Sequence, residues 1–118
     1  MDQPIKIFCS YSSRDTTYRE QLETALHPLI DQGLIRFWYD RTIEPGEEWN
    51  AEIQGELEAA DMVLLLLSPD FLESPHCKQE TARALERKGK ARVVPVRLRP
   101  TFLKGTLVQS LNYRYCAS

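Results

Sequence analysis

Cysteine is scarce here and poorly spaced for chemistry that needs pairs. The 118 residues hold three, Cys9, Cys77 and Cys116, odd in number and far apart, which argues against a disulfide framework. No C-x-x-C or H-x₃-H spacing occurs, so a zinc site is not indicated and no metal is expected. A strong charge of either sign is also missing. The net charge of −2 is too small for a broad basic field, which argues against a direct nucleic-acid partner. The longest apolar run, Met62–Leu67, falls far short of the ~20 residues a bilayer-spanning helix needs, so no membrane partner is expected. The start of the chain has no signal-peptide pattern and leads straight into a strand-like run. Both G-x-G-x-x-G and G-x₄-G-K-[ST] are absent, so a nucleotide could bind only without either phosphate cradle. Repeats, linkers and low-complexity segments are absent too. What remains is one domain in a reduced, cytosolic setting, with an apolar fraction of 42 % that suffices for a packed core.

What is present alternates strand with helix. Ile5–Ser10 is a short β-rich run, followed by the polar loop Tyr11–Asp15. A helix is predicted from Asp15 or Thr17, where Thr17 and Glu20 fit a capping box. Tyr18, Leu22, Ala25, Leu26 and Leu29 recur at helical spacing, and Pro28 is expected to kink or end that helix before Gly33 closes it. Ile35–Asp40 is the second strand. Arg41–Glu48 is a polar loop with a Pro45-Gly46 turn signal. Trp49, Ile53, Leu57 and Ala60 mark an amphipathic helix. Met62–Ser68 is the third strand, apolar throughout to Leu67 and therefore expected to be buried on both faces of a parallel sheet. Arg92–Leu98 is a fourth, with Pro95 hinting at a place near the sheet edge. Leu111–Cys116 is a candidate fifth. Such alternation argues for an α/β domain with right-handed crossovers.

The stretch Ser68–Arg87 is the centre of this pattern. Ser74 is a suitable N-cap and Pro75 suits the first helical position, whose N–H would be unpaired anyway. The helix is expected to stop at Gly89. At roughly 100° per residue, Cys77, Thr81, Ala84 and Leu85 share one face, with Glu80 on its margin. Glu80 is then either an ordinary solvated helix carboxylate or a group at the junction of helix and strand end, where desolvation would raise its pKa.

Open parallel sheets bind ligands beyond the C-terminal strand ends. Those ends are Ser10-Tyr11, Tyr39-Asp40 and Ser68-Pro69, and they converge on one crevice with the 41–48 loop as wall or lid. A receiver domain would need an acidic pair after the first strand and an Asp at the third strand end. Here Cys9-Ser10-Tyr11 and Leu67-Ser68-Pro69 occupy those places, which discounts that alternative.

Three motifs then coincide with a known family. FCSYSSRD (Phe8–Asp15), FWYD with IEPGEEW (Phe37–Trp49) and LLLLSPDFLESPHCKQE (Leu64–Glu80) occur in order across most of the chain. The sequence resembles a TIR (Toll/interleukin-1 receptor) domain, of the bacterial type. The resemblance implies a flavodoxin-like three-layer α/β sandwich whose central parallel sheet runs in the order 2-1-3-4-5 between helices. It implies one of two functions. Some members cleave NAD+ at the nicotinamide–ribose bond, activated by self-assembly in immune, antiphage or cell-death signalling; others are non-catalytic modules that only assemble.

The enzymatic members carry a glutamate at the start of the third helix, three residues after a frequent Cys, and Glu80 matches it. By the same resemblance, Ser10, Tyr11, Ser12, Arg14, Asp40, Ile43, Trp49, Ser68 and His76 become candidate substrate-binding residues. Thr42, Ile43, Glu44, Pro45, Gly46 and Glu47 become a candidate interface loop between protomers. From the residues themselves, Arg14 either meets a pyrophosphate or caps a helix, and Trp49 either stacks on a ring or packs in the core. Glu44, Glu47 and Glu48 are otherwise a solvated acidic loop. His76 departs from the family, which often has Trp four residues before the glutamate. It is either a new titratable group at the site or a helix-end histidine. NAD+ is expected as substrate, with no cofactor. Other TIR domains and a fused or associated sensor domain are the expected partners, with activity rising faster than linearly with concentration. The chain also stops where the family runs into a last helix: residues 1–118 are expected to be a single TIR domain that either is excised from a larger protein or lacks that final element.

Overall fold

The computed structural model describes residues 3–40, 51–86, 92–101, 105–106 and 114–115. Five strands form one parallel sheet in the order β2-β1-β3-β4-β5: β1 Ile5–Ser10, β2 Ile35–Trp38, β3 Met62–Leu67, β4 Arg92–Arg97 and β5 Arg114–Tyr115. Among the described residues, four α-helices lie between them: α1 Thr16–Asp31, α2 Ala51–Ala59, α3 Pro69–Glu73 and α4 Pro75–Glu86. The three-layer sandwich and its strand order are those expected.

Strand pleating divides the core in two. Side chains alternate between faces along a strand. Phe8, Val63, Leu65 and Leu67 accordingly pack with Ile53 and Leu57 of α2, Phe71 of α3, and Cys77 and Ala84 of α4. Ile7, Cys9, Leu64 and Leu66 turn the other way and meet Leu22, Leu26 and Ile30 of α1. The central strand β3 is buried at every position from Val63 to Leu67, as its unbroken apolar run requires. This packing sets which side of the sheet each strand-end residue faces.

The α1 region corrects three expectations. The helix runs through Pro28 to Asp31. Proline there forfeits only one late hydrogen bond, to the Thr24 carbonyl, where the helix is about to end. The stop is a Schellman motif. Gly33, at φ 74°, donates to Ile30 at 3.0 Å and Leu34 to Leu29 at 3.0 Å, a conformation that favours glycine. The Thr17–Glu20 capping box does not form: Asp15 is the N-cap position and makes no side-chain cap bond, because its carboxylate is engaged elsewhere. The stripe that packs against the sheet is Leu22, Leu26 and Ile30, each partly buried, whereas Ala25 and Leu29 are exposed.

Further boundaries move. The second strand ends at Trp38 rather than Asp40, the third at Leu67 rather than Ser68, and the fourth at Arg97. The stretch after β3 folds as two helices. Ser68 caps α3, accepting from the Phe71 N–H at 3.0 Å. Ser74 then caps α4 as expected, accepting from the Cys77 N–H at 3.2 Å. Pro95 lies in β4, one strand in from the edge strand β5 and so near the sheet edge as expected; among the described residues β4 pairs with β5 at Val96 and Arg97. The predicted helix stop at Gly89, the helix start at Trp49 and the ends of the fifth strand fall outside the described residues.

Candidate active site

Ser10 is the last residue of β1 and shares the face of Phe8, toward α4. Its hydroxyl donates to Glu80 Oε1 at 2.5 Å, across 70 residues of sequence. The Ser74 cap and Pro75 fix where α4 begins, and helical phase then carries position 80 onto the inner face, one turn in. Glu80 is 1 % exposed. The solvated reading of this residue is therefore excluded.

Burial pushes the Glu80 carboxyl up to about 8 from an ordinary 4.5; the Ser10 hydroxyl opposes that rise and the nearby Asp40 charge adds to it. Removing a carboxylate from water disfavours its charged form. Among the described residues no cation stands within ion-pair distance of Glu80. Its Oε2 is buried and has no hydrogen-bond partner among those residues. Asp40, just past β2, is buried as well. His76, one turn before Glu80, is 5 % exposed, and among the described residues neither ring nitrogen has a partner.

The other candidate residues separate from this group. Tyr11 turns to the α1 face, where the Arg19 guanidinium lies 5.6 Å from its ring centre and 4.0 Å from that of Tyr39. Burial pushes the Tyr11 phenol up, with Arg19 partly offsetting it. Ser12 caps the short 3-10 turn Ser13–Asp15, accepting from the Arg14 N–H at 3.3 Å. The Arg14 side chain is exposed, 3.9 Å from Asp70. Ser68 is fully buried and donates to Asp15 Oδ2 at 2.5 Å. Arg99 closes that second group, 3.4 Å from Asp15 Oδ1 and 2.5 Å from Asp70 Oδ2. The Asp15 contact has ion-pair distance but not hydrogen-bond alignment, since Oδ1 counts as unpartnered. Ile43, Trp49 and the loop residues Thr42, Glu44, Pro45, Gly46 and Glu47 lie outside the described residues.

Sequence reasoning missed Arg19, Asp15 and Arg99. Arg19 was findable, because it continues the Leu22, Leu26, Ile30 stripe toward the N-terminus. Asp15 and Arg99 were not, since their partners are distant in sequence. The thiols are poor nucleophiles: burial pushes Cys77 up to about 12 and Cys9 higher still. A cavity of about 550 Å³ lies beside Pro69, Leu72, Glu73, Lys78 and Thr101, and one of about 230 Å³ lies between Lys6, Arg36, Trp38 and Glu56. Neither is lined by Glu80. Among the described residues, no three acidic, histidine or cysteine side chains converge to hold a metal ion, and no helix is long and apolar enough to cross a membrane.

A family profile described as TIR domain matches residues 7–117. The chain belongs to the TIR domain family. It is 43 % identical over 96 residues to an uncharacterized protein, y4lF, of Sinorhizobium fredii. That match takes in 79 % of this chain but only 30 % of the relative's length. Two solved structures share the fold. One is the TIR domain of the Toll-related receptor TRR-2 from Hydra magnipapillata, with a TM-score of 0.70 at 19 % identity over 92 % of this chain and 82 % of that one. The other is the TIR domains of the activated Roq1 resistosome, which directly recognizes the pathogen effector XopQ. Its TM-score is 0.65 at 22 % identity, over 82 % of this chain and 59 % of that one. At such identities the likeness speaks for the TIR fold alone.

Proposed function

We propose that this TIR domain is an NAD+ nucleosidase in which Glu80 is the catalytic carboxylate. The observation that carries this reading is a buried Glu80 at the C-terminal strand ends, held by Ser10 through one oxygen and unpartnered at the other. Glycosidases commonly use two carboxyl groups, because a leaving alcohol must be protonated. Nicotinamide leaves as a neutral base from a cationic pyridinium, so a single carboxylate suffices. The bond between ribose C1′ and the ring nitrogen breaks, and its electron pair neutralises the pyridinium. Water adds at C1′ and releases a proton. Anionic Glu80 stabilises the oxocarbenium-like transition state and holds the ribose hydroxyls. The products are nicotinamide and ADP-ribose, or a cyclic ADP-ribose where an internal nucleophile replaces water.

At neutral pH the free site holds Glu80 mostly protonated. An incoming pyridinium supplies the opposite charge the site lacks and draws the carboxyl back toward ionisation. Substrate binding then releases a proton. Asp40, Ile43, Trp49 and His76 are proposed to line the substrate crevice, with Ser10 aligning Glu80, while Tyr11, Ser12, Arg14 and Ser68 are proposed to support it from the adjoining strand ends without sharing the Glu80 pocket.

Assembly belongs to the same proposal. Copies of the domain meet through the Thr42–Glu47 loop, in cytoplasmic immune or cell-death signalling, and a sensor domain carried by a longer parent protein triggers the clustering. A relative more than three times the length of the matched region supports a modular parent. The test is product chromatography after clustered protein meets NAD+. Nicotinamide release by the wild type, and none by Glu80→Ala with an unchanged thermal midpoint, is expected. Equal turnover by the variant would falsify the assignment, and NAD+ left intact at high protein concentration favours a purely assembling module.

A further inference from the structure

The end of the sheet away from Glu80 carries a cavity of its own, about 230 Å³ in volume, between the first halves of β1 and β2 and the last turn of α2. Side chains two apart on a strand share a face. Phe8 and Trp38 pack toward α2, so Lys6 and Arg36 project that way too, and both line the cavity. Lys6 and Arg36 are register partners, and neighbouring strands run about 4.8 Å apart. Two positive charges are therefore rooted side by side, an arrangement that Coulomb repulsion opposes. Among the described residues neither has an ion-pair partner. Glu56 of α2 lines the same cavity and is also outside ion-pair distance of any described cation.

The rest of the lining is apolar. Ala59 and Ala60 keep the α2 side shallow, and Trp38 supplies an indole braced by the Phe8 ring at 5.2 Å. Lys6 and Trp38 are half-buried, whereas Arg36 is exposed. Lys6 stands four residues before Ser10 on β1, about 13 Å along the strand, so this cavity is separate from the Glu80 site.

We propose that the cavity binds a small planar anion, a single phosphate or carboxylate group carried on one aromatic ring. The Arg36 guanidinium presents a fork of donors that matches either head group, and the Lys6 ammonium adds a point charge beside it. An anion between them replaces one repulsion with two attractions. The ring lies against Trp38, where an aromatic pair gains more than its buried area alone gives. Glu56 accepts from a hydroxyl or amino group on the ring and repels a second anionic group. At about 230 Å³ the cavity is smaller than the ~300–1,000 Å³ of sites for drug-sized ligands, which suits one ring and excludes a dinucleotide. The proposal stands independently of the nucleosidase reading.

Cations beside the last turn of a helix also answer its dipole, and the experiment separates the two roles. The wild type is titrated calorimetrically at low salt with phenyl phosphate and with benzoate, which distinguish a phosphate head from a carboxylate one. Inorganic phosphate and phenol serve as half-ligands. At least one ringed anion should bind saturably, one to one, and about tenfold or more tighter than either half. Lys6→Gln and Arg36→Gln should each weaken it by roughly tenfold or more, the loss of a charged hydrogen bond, with a thermal midpoint equal to or above that of the wild type. Glu80→Gln should bind as the wild type does. In a Trp49→Phe background Trp38 is the sole remaining tryptophan, and its emission should change along the same curve. No saturable binding of either ringed anion overturns the proposal. So does binding that survives both cation variants, or that is lost in Glu80→Gln. Lower midpoints in both cation variants, with no binding by the wild type, assign the pair to the end of α2 instead.

Discussion

Two carboxylates stand at the same end of the sheet, each 1 % exposed and each accepting from a serine hydroxyl at 2.5 Å, Asp15 from Ser68 and Glu80 from Ser10. They differ in what faces the other oxygen. Asp15 has the Arg99 guanidinium at 3.4 Å, itself bonded to Asp70. Glu80 has no cation within ion-pair distance among the described residues, and the charge it does feel is that of Asp40, of its own sign. A paired buried carboxylate ties elements together: Asp15 links the β1 exit, the α3 cap and the segment after β4. An unpaired one destabilises the free protein and waits for a charge from outside. On the reading proposed above, the pyridinium of NAD+ would supply that charge.

That contrast can be broken most sharply at Glu80. Glu80→Gln keeps the shape and loses the charge, and nicotinamide release should fall by about 10³-fold while the thermal midpoint holds or rises. Asp15→Ala should do the reverse. Leaving Ser68 and Arg99 without their partner should lower unfolding free energy by about 2–3 kcal/mol, read by chemical denaturation. A midpoint unchanged in Asp15→Ala would mean the Arg99 network is ornamental.

The pH response sharpens the same comparison. Glu80 has a folded-state pKa of about 8 against an ordinary 4.5, so between those values the folded state holds the extra proton. Its stabilising contribution is fully present below about pH 4.5 and is lost as pH rises through about 8. The unfolding free energy of the wild type, relative to Glu80→Gln, should therefore decline across that window and level off above it. In the same window kcat/KM for NAD+ should rise with pH, since it reports the free enzyme. A flat difference between the two proteins would show that Glu80 is not desolvated. The smallest expected effect is that of Ser10→Ala. Its hydroxyl favours the ionised carboxylate, so its loss should move the kcat/KM limb to higher pH and reduce neutral-pH activity by about tenfold.

Much of the fold was readable because its signals are local. The unbroken run Met62–Leu67 announced a strand buried on both faces, and the Ser74-Pro75 pair announced the start of α4. Where reading failed, a distant partner had intervened. Asp15 could not be seen to abandon a capping role, because Ser68 and Arg99 claim its carboxylate from 53 and more residues away. Pro28 does not end α1, because the Gly33 stop follows so closely that proline costs the helix only one late hydrogen bond. Tyr11 was grouped with Ser10, although adjacent strand residues face opposite sides of a sheet, and it stands over Arg19 instead.

By itself the sequence determined the alternation of elements, the family and the position of the carboxylate proposed as catalytic, because periodicity, caps and motif spacing are properties of neighbours along the chain. Only the tertiary structure decided that Glu80 is buried and bonded to Ser10, and that among the described residues it has no counterion and the ring nitrogens of His76 have no partner. Burial and pairing depend on which strand end lies against which helix, and that is settled when residues 70 apart are brought within hydrogen-bonding distance.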